Sequence, residues 1–272
     1  MTAPGELRLM CVLAHPDDES LGTGGLLAAA AAQGVATYLV TATRGERGRI
    51  GGQRPGPEVA GPIRESELRE AAAVLGVREV ALLGYLDGDL DRADPREATS
   101  KIVAHLRRVR PQVVVTFPPD GIYGHPDHVA ISAHATAAFR RATAEPGGPT
   151  TLYHQAISRS DLAQWGEMQA QWAALGAAEG AEPKEPTADD LLQQQRFVEL
   201  ARPDEDFTTE VDVGSVLDRK LAAFACHASQ VRQDWSAAPR ELLERWMGRE
   251  TFIRVEPPPL PGERESALRG VV

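Results

Sequence analysis

The apolar residues fall in short continuous runs, each followed by a turn and then by a stretch of helical period. Leu7 to Leu13, Val35 to Thr43, Val80 to Tyr85, Val113 to Phe117 and Leu152 to Ile157 read as buried strands. Continuous runs, unlike alternating ones, mark strands covered on both faces. Between them lie helical segments: Leu21 to Gln33 closed by Gly34, Ile63 to Leu75 closed by Gly76, Asp94-Pro95 to about Val109, and Asp127 to Thr143. Glycine just past the last turn and proline within the first are helix punctuation. Arg44 to Pro62, rich in Gly, Arg and Pro, reads as a long loop of the kind that is often functional. The alternation predicts an α/β, Rossmann-like fold: a mostly parallel sheet with helices on both faces.

After Ser158 the alternation stops. Asp161 to Ala177 is helical, Ala178 to Pro186 is a Gly/Glu/Pro linker, and Asp189 to Glu199 is a short helix. Residues from about 159 to 205 therefore read as an insertion or lid. Phe207 to Val213 alternates apolar and polar residues, which suggests a strand with one exposed face. Val216 to Gln230 and Glu241 to Met247 are helical, and Thr251 to Val255 is a last strand. This C-terminal extension of helices and strands, 206–256, completes a single domain whose core spans about 7–157. Pro257-Pro258-Pro259 predicts the end of the ordered part, with a loose tail over 257–272.

Charge narrows the partners. The formal net charge is −10, which argues against nucleic acid or an anionic membrane surface, since both need basic patches. No apolar run approaches the ~20 residues of a membrane helix. Met1 to Glu6 is too short and polar for a signal peptide. A cytoplasmic protein without membrane insertion is expected. Cys11 and Cys226 lie inside a strand and a helix, and their spacing fits neither a metal knuckle nor a disulfide scaffold. Apolar residues in the insertion either cover a site or form a subunit contact, so a homo-oligomer stays open.

The candidate chemistry sits at two turns. Ala14-His15-Pro16-Asp17-Asp18-Glu19 follows the first strand, and Gly124-His125-Pro126-Asp127-His128 follows the fourth. In an open parallel sheet such strand ends border one ligand crevice. His15 and Asp18 from one turn and His128 from the other make a three-ligand set with a fourth position open, as in hydrolytic zinc sites. A metal there activates water and polarises a carbonyl. Asp17, beside the ligand Asp18, is the candidate general base. His125 is placed to stabilise an oxyanion or protonate a leaving amine, with Asp127 orienting it. The bland reading is two capped turns whose carboxylates satisfy helix N-terminal amides. Leu21-Gly22-Thr23-Gly24-Gly25 looks like part of a dinucleotide loop, but the His-Pro-Asp turn occupies the junction such a loop needs. Close helix–sheet packing explains those glycines better.

Both turns together make the chain resemble the LmbE/PIG-L family of zinc-dependent N-acetylglucosaminyl deacetylases. Further matches are Thr43-Arg44-Gly45-Glu46, Arg64 within Ile63-Arg64-Glu65-Ser66-Glu67-Leu68, and Lys220 to Gln230 with its His227-Ala228-Ser229-Gln230. The resemblance covers about Leu7 to Ile157 and the Lys220 to Gln230 helix; the insertion matches nothing. It implies a Rossmann-like fold and hydrolysis of an N-acetyl group from an N-acetylglucosamine-type substrate by water activated at the metal. It implies His15, Asp18 and His128 as metal ligands, Asp17 as base and His125 with Asp127 as the electrostatic or acid pair. Tyr123 matches an oxyanion-stabilising tyrosine, and Glu46, Arg64 and Asp87 match sugar-contacting positions. Zn2+ is the implied cofactor, with Fe2+ as an alternative. Arg64 also reads as a solvated helix residue. His227, on an apolar helical face, reads equally as a core histidine or a substrate contact. The four tryptophans, Trp165, Trp172, Trp235 and Trp246, read as core or interface rather than as a sugar platform. Two rival functions remain: an amidase of a thiol-conjugated glucosaminide, and a catalytically silent sugar- or metal-binding protein.

Overall fold

The computed structural model describes residues 6–178, 188–231 and 238–269. The five expected strands form as Arg8–Leu13 (β1), Ala36–Thr41 (β2), Glu79–Leu82 (β3), Val113–Thr116 (β4) and Thr151–Ala156 (β5). They pair in parallel, with Cys11 of β1 opposite both Leu39 and Val115. Thr209–Asp212 (β6) and Arg249–Glu256 (β7) extend the sheet, β7 running antiparallel to both its neighbours. The strand order is β3-β2-β1-β4-β5-β7-β6. The order reverses between β1 and β4, so both His-Pro-Asp turns leave the sheet at its topological switch point. Leu9, Met10, Cys11, Val12 and Leu13 are all fully buried, because helices cover both faces of the central strands.

Among the described residues the helices are Asp18–Gly22 (α1), Gly24–Ala32 (α2), Pro57–Leu75 (α3), Pro95–Val109 (α4), Gly121–Gly124 (α5, a single turn whose Ile122 and Tyr123 leave helical geometry), Pro126–Thr143 (α6), Arg159–Ala178 (α7), Ala188–Leu200 (α8), Leu217–Cys226 (α9) and Arg240–Met247 (α10). Three of them depart from the sequence expectation. The first helix breaks at Thr23, whose N–H and hydroxyl both return to the Glu19 carbonyl (3.2 and 3.0 Å). The third begins at Pro57 rather than Ile63, because Pro57 suits a first turn, and it carries Pro62 within it. The α9 helix stops at Cys226 instead of Gln230, and the residues after it turn away to reach other elements. The expected linker over 178–186 lies outside the described residues apart from Ala178, as does Trp235.

The glycines after the first turn are there for packing. A Cβ on Gly25 would lie 2.5 Å from the Val213 side chain. The buried Glu250 carboxylate accepts from the N–H groups of Gly25 and Leu26, each at 2.8 Å, and pairs with Lys220 at 2.8 Å. It thus fills the helix N-terminus where a nucleotide phosphate would dock.

The segment beyond the prolines is not loose as far as Arg269. Leu268 is fully buried, and Tyr153 Oη donates to Glu265 (2.9 Å) while accepting from the Arg269 N–H (2.9 Å). Glu265 also pairs its backbone with Thr208 and Glu210 (2.7 and 2.9 Å). Composition conceals this, because the anchors are one leucine and side-chain pairs to residues far away in sequence. Leu268→Ala is expected to cost about 2–4 kcal/mol. Chemical denaturation checks it; a change below about 0.5 kcal/mol would mean that the segment does not support the sheet.

Candidate active site

His15 and His128 meet at the switch point. His15 Nε2 lies 3.1 Å from Asp127 Oδ2 and 3.2 Å from Asp87 Oδ1. Carboxylates only accept, so Nε2 carries the proton and Nδ1 is left with its lone pair. His128 Nδ1 lies 3.2 Å from the Gly121 carbonyl, which likewise fixes its proton and leaves Nε2 free. The two free nitrogens face each other at 3.2 Å. Asp18 stands beside them, with Oδ1 3.4 Å from His128 Nε2, while its other oxygen, Oδ2, lies 3.7 Å from His15 Nδ1 and accepts from the His15 and Ala14 N–H groups (2.7 and 3.1 Å). Three lone-pair donors this close repel unless a proton or a metal ion sits among them. Ligand atoms about 2.0–2.1 Å from a tetrahedral zinc lie roughly 3.3 Å apart, so the edges from His128 Nε2 to His15 Nδ1 and to Asp18 Oδ1 fit. His125 also brings a ring nitrogen within 4.8 Å of those of His15 and His128, and His15, Asp87 and Asp127 form a second such group.

The titration behaviour follows from this crowding. Burial works against a charged His15, but Asp127, Asp87 and Asp18 outweigh it and raise its pKa to about 10, so with no ion bound a second proton occupies Nδ1 and a metal would have to displace it. Burial and the neighbouring His15 hold His128 well below the usual range, so it stays neutral. Burial lifts Asp18 to about 7, against the pull of His15. Phe117 stacks on the His128 ring, with centroids 4.0 Å apart and planes at 14°, and fixes its tilt.

Asp127 does not serve His125 as the sequence suggested. Its Oδ2 accepts from the Gly88 N–H (2.7 Å) as well as facing His15, and its Oδ1 accepts from the Leu90 N–H (3.1 Å). The fully buried carboxylate is consumed by those partners. Only its backbone N–H reaches His125, donating to Nδ1 at 3.2 Å. A carboxylate on the remote nitrogen of a metal-ligand histidine fixes its tautomer, and losing it typically costs about 10–100-fold in metal affinity. If His15 holds a metal, Asp127→Asn should weaken its binding by roughly that factor while leaving the His125 contact in place. Competition with a chelator measures it, and unchanged affinity would refute the role.

Asp17 is the more open of the adjacent pair, with 31% of its side chain exposed against 9% for Asp18. Arg64 Nη2 donates to Asp17 Oδ2 (3.0 Å) and to the Pro16 carbonyl (2.7 Å), and Nη1 donates to the Gly45 carbonyl (2.9 Å). Arg64 is thus buried, not solvated, and it orients Asp17. Gly45 makes room for it: a Cβ there would sit 2.1 Å from Arg64 Nη1, at a backbone φ of +68°. Burial raises the Asp17 pKa, opposed by Arg64 and His227 and aided by Glu19.

The other expected positions fall around this centre. Glu46 is buried and accepts from the N–H groups of Arg44 and Asp87 (3.1 and 3.3 Å). Asp87 faces His15, which helps hold its carboxyl down at about 2 against burial. The Tyr123 ring lies 5.1 Å from His128 and 5.9 Å from His125, and burial pushes its hydroxyl pKa up. It leans on Phe197 of α8 at 4.8 Å. Burial and His15 lower the His125 pKa. His227 has no exposed surface and grips Glu19 at 2.6 Å, so it offers the crevice nothing to contact. Trp165 stacks on Trp246 (6.4 Å, 19°) at the α7–α10 contact, away from a sugar-platform role.

Sequence reasoning missed Glu19, Phe117 and the Gly88 and Leu90 amides. The signal for the last two was present: Asp87-Gly88-Asp89 is a turn at the exit of another parallel strand, where crevice-lining loops belong.

Fold and site together define a Rossmann-type α/β protein with a histidine–carboxylate cluster, suited to a divalent metal, in its switch-point crevice. Comparison with known proteins narrows the class. A family model described as PIG-L, GlcNAc-PI de-N-acetylase, matches residues 10–139. The 1D-myo-inositol 2-acetamido-2-deoxy-alpha-D-glucopyranoside deacetylase of Rhodococcus jostii (strain RHA1) is 36% identical, over 96% of this chain and 95% of its own. The chain belongs to the PIG-L (LmbE-like) family of deacetylases. Among solved structures, the N,N'-diacetylchitobiose deacetylase of Pyrococcus horikoshii has a TM-score of 0.61 at 21% identity, covering 93% of this chain and 85% of that one. The 4-carboxy-2-hydroxymuconate hydratase GalB of Pseudomonas putida KT2440 has a TM-score of 0.60 at 21% identity, covering 93% and 98%. A deacetylase and a hydratase share this fold, so the reaction must be argued from the site. Among the described residues, no helix is long and apolar enough to cross a membrane.

Proposed function

We propose that this protein is a metal-dependent hydrolase that removes the N-acetyl group from an N-acetylglucosamine-type sugar, releasing acetate and the free amine. The observation that carries the reading is the meeting of His15 Nδ1, His128 Nε2 and the Asp18 carboxylate with lone pairs turned inward, and with Asp17 adjacent. Those three residues would hold the metal, with Zn2+ the expected ion and Fe2+ the alternative. Bound there, it would supply Lewis-acid activation of water and of the acyl carbonyl.

The chain's own residues supply the rest. Asp17, oriented by Arg64, takes a proton from the attacking water. His125, with its Nδ1 tied to the Asp127 N–H, turns its other nitrogen toward the leaving amine or the developing oxyanion. Tyr123 offers a hydroxyl kept protonated by its surroundings, which suits an oxyanion donor. Glu46 and Asp87 border the crevice where sugar hydroxyls would lie. The kinship with the inositol-glycoside deacetylases makes an N-acetylglucosamine glycoside the first substrate to try.

Amine release from an N-acetylglucosaminyl inositol, from free N-acetylglucosamine and from a thiol-conjugated glucosaminide amide tests this, with zinc-loaded and iron-loaded protein. Turnover of either acetylated sugar is the expected result. Preference for the conjugate would shift the activity to an amidase, and no release from any of the three by metal-loaded protein would reject hydrolysis.

A further inference from the structure

Asp17 has a backbone that an L-residue rarely adopts. Its φ is 93° and ψ −27°, in the left-handed region that costs a non-glycine residue free energy and persists only when the surroundings hold it. Arg64 fixes the Asp17 side chain and the preceding carbonyl. The Asp17 N–H is held by something else: it donates to Glu19 Oε2 at 3.0 Å. Glu19 is fully buried, and its Oε1 accepts from the Ser20 hydroxyl and from His227 Nε2, each at 2.6 Å. His227 is fully buried as well, and its Nδ1 has no hydrogen-bond partner among the described residues.

His227 opens the turn that ends α9, and its neighbours reach the same side of the site. Ser229 donates from its N–H and hydroxyl to Glu67 of α3 (2.7 and 2.6 Å), about one turn along that helix from Arg64. Gln230 Nε2 donates to the Arg49 carbonyl at 2.8 Å. The His227-Ala228-Ser229-Gln230 turn therefore grips the first His-Pro-Asp turn, the helix carrying Arg64 and the 44–56 loop together.

We propose that Glu19 and His227 are positioning residues for the general base. Glu19 takes the Asp17 N–H and pins the left-handed backbone that aims the carboxylate. His227, delivered from a segment far along the chain, keeps the Glu19 carboxylate from rotating off that N–H. The pair touches neither substrate nor reacting atoms. The inference rests on the reading of Asp17 as the base.

The test uses Glu19→Ala, Glu19→Gln, His227→Leu and His227→Gln in the full-length, metal-loaded protein. Two quantities are read: hydrogen exchange of the Asp17 amide, and kcat and KM in the wild-type and Asp17→Asn backgrounds. In Glu19→Ala the Asp17 amide should exchange about fivefold faster or more, the loss of one hydrogen bond. Its kcat should fall about 10–100-fold, as for a misplaced catalytic group, with KM within about twofold. His227→Leu should follow in the same direction, and His227→Gln, which still offers an N–H to Glu19, should recover most of the loss. In the Asp17→Asn background none of these changes should lower kcat further. If Glu19→Ala does not fold, Glu19→Gln replaces it: one carbonyl cannot serve both Asp17 and His227, so an intermediate loss is expected. An unchanged Asp17 amide and kcat, or equal proportional losses in both backgrounds, would overturn the proposal. If the wild type hydrolyses no amide at all, the proposed activity fails, while the amide exchange still decides whether the pair holds Asp17.

Discussion

Asp17→Asn is expected to lower kcat for N-acetyl hydrolysis by about 10²–10⁴-fold, the usual contribution of a positioned general base. Asparagine keeps the shape and can still accept from Arg64 through its amide oxygen. The bond from the Asp17 N–H to Glu19 belongs to the backbone and survives. What disappears is the ability to take a proton. The substitution also removes a negative charge beside Arg64, so the geometry should relax only slightly. KM and metal content are therefore expected to stay within about twofold of wild type. Steady-state kinetics with amine detection, together with metal analysis, separate these effects. A kcat within about threefold of wild type would move the base to another group, and a large rise in KM alone would make Asp17 a binding residue.

The sheet and the two turns were legible in the sequence because each signal was local. Leu7 to Leu13 and Val113 to Phe117 are continuous apolar runs, and a continuous run before a His-Pro-Asp turn allows few structures. The switch point followed from the α/β alternation without any knowledge of side chains. What the sequence hid was pairing over long separations. Asp127 lies two residues from His125, which invited a local partnership, yet its carboxylate is captured by His15 and by two amides of the loop after β3. Arg64 looked like one of several charged residues on an exposed helix, because the buried pocket it enters is built by Gly45 and Pro16. Glu19 and His227 are separated by most of the chain, and nothing in either neighbourhood announces the other. The ordered segment after Pro257 was missed for the same reason, since Glu265 and Leu268 find their partners on β5, β6 and the core. Leu268 apart, the decisive term was desolvation of a polar group, which binds it to whatever partner the fold brings near.

Removing one of the three lone-pair donors should have the other large effect. His128→Ala is expected to weaken metal binding by more than the roughly 10–100-fold typical of an outer-shell partner, because a ligand itself is lost. The Gly121 carbonyl holds the His128 proton on Nδ1, and Phe117 fixes the ring plane, so Nε2 is aimed before any ion arrives. Such preorganisation leaves little reorganisation to oppose binding, and losing the ring leaves His15 and Asp18 as a two-point site. Metal that binds the folded state also stabilises it, by about 2.7 kcal/mol at a hundred times the dissociation constant. Added zinc should therefore raise the melting temperature of the wild type by several degrees and leave His128→Ala almost unmoved. This readout needs no substrate and no turnover. A zinc-induced shift of equal size in both proteins would place the ion elsewhere, with the group of His15, Asp87 and Asp127 as the next site to test.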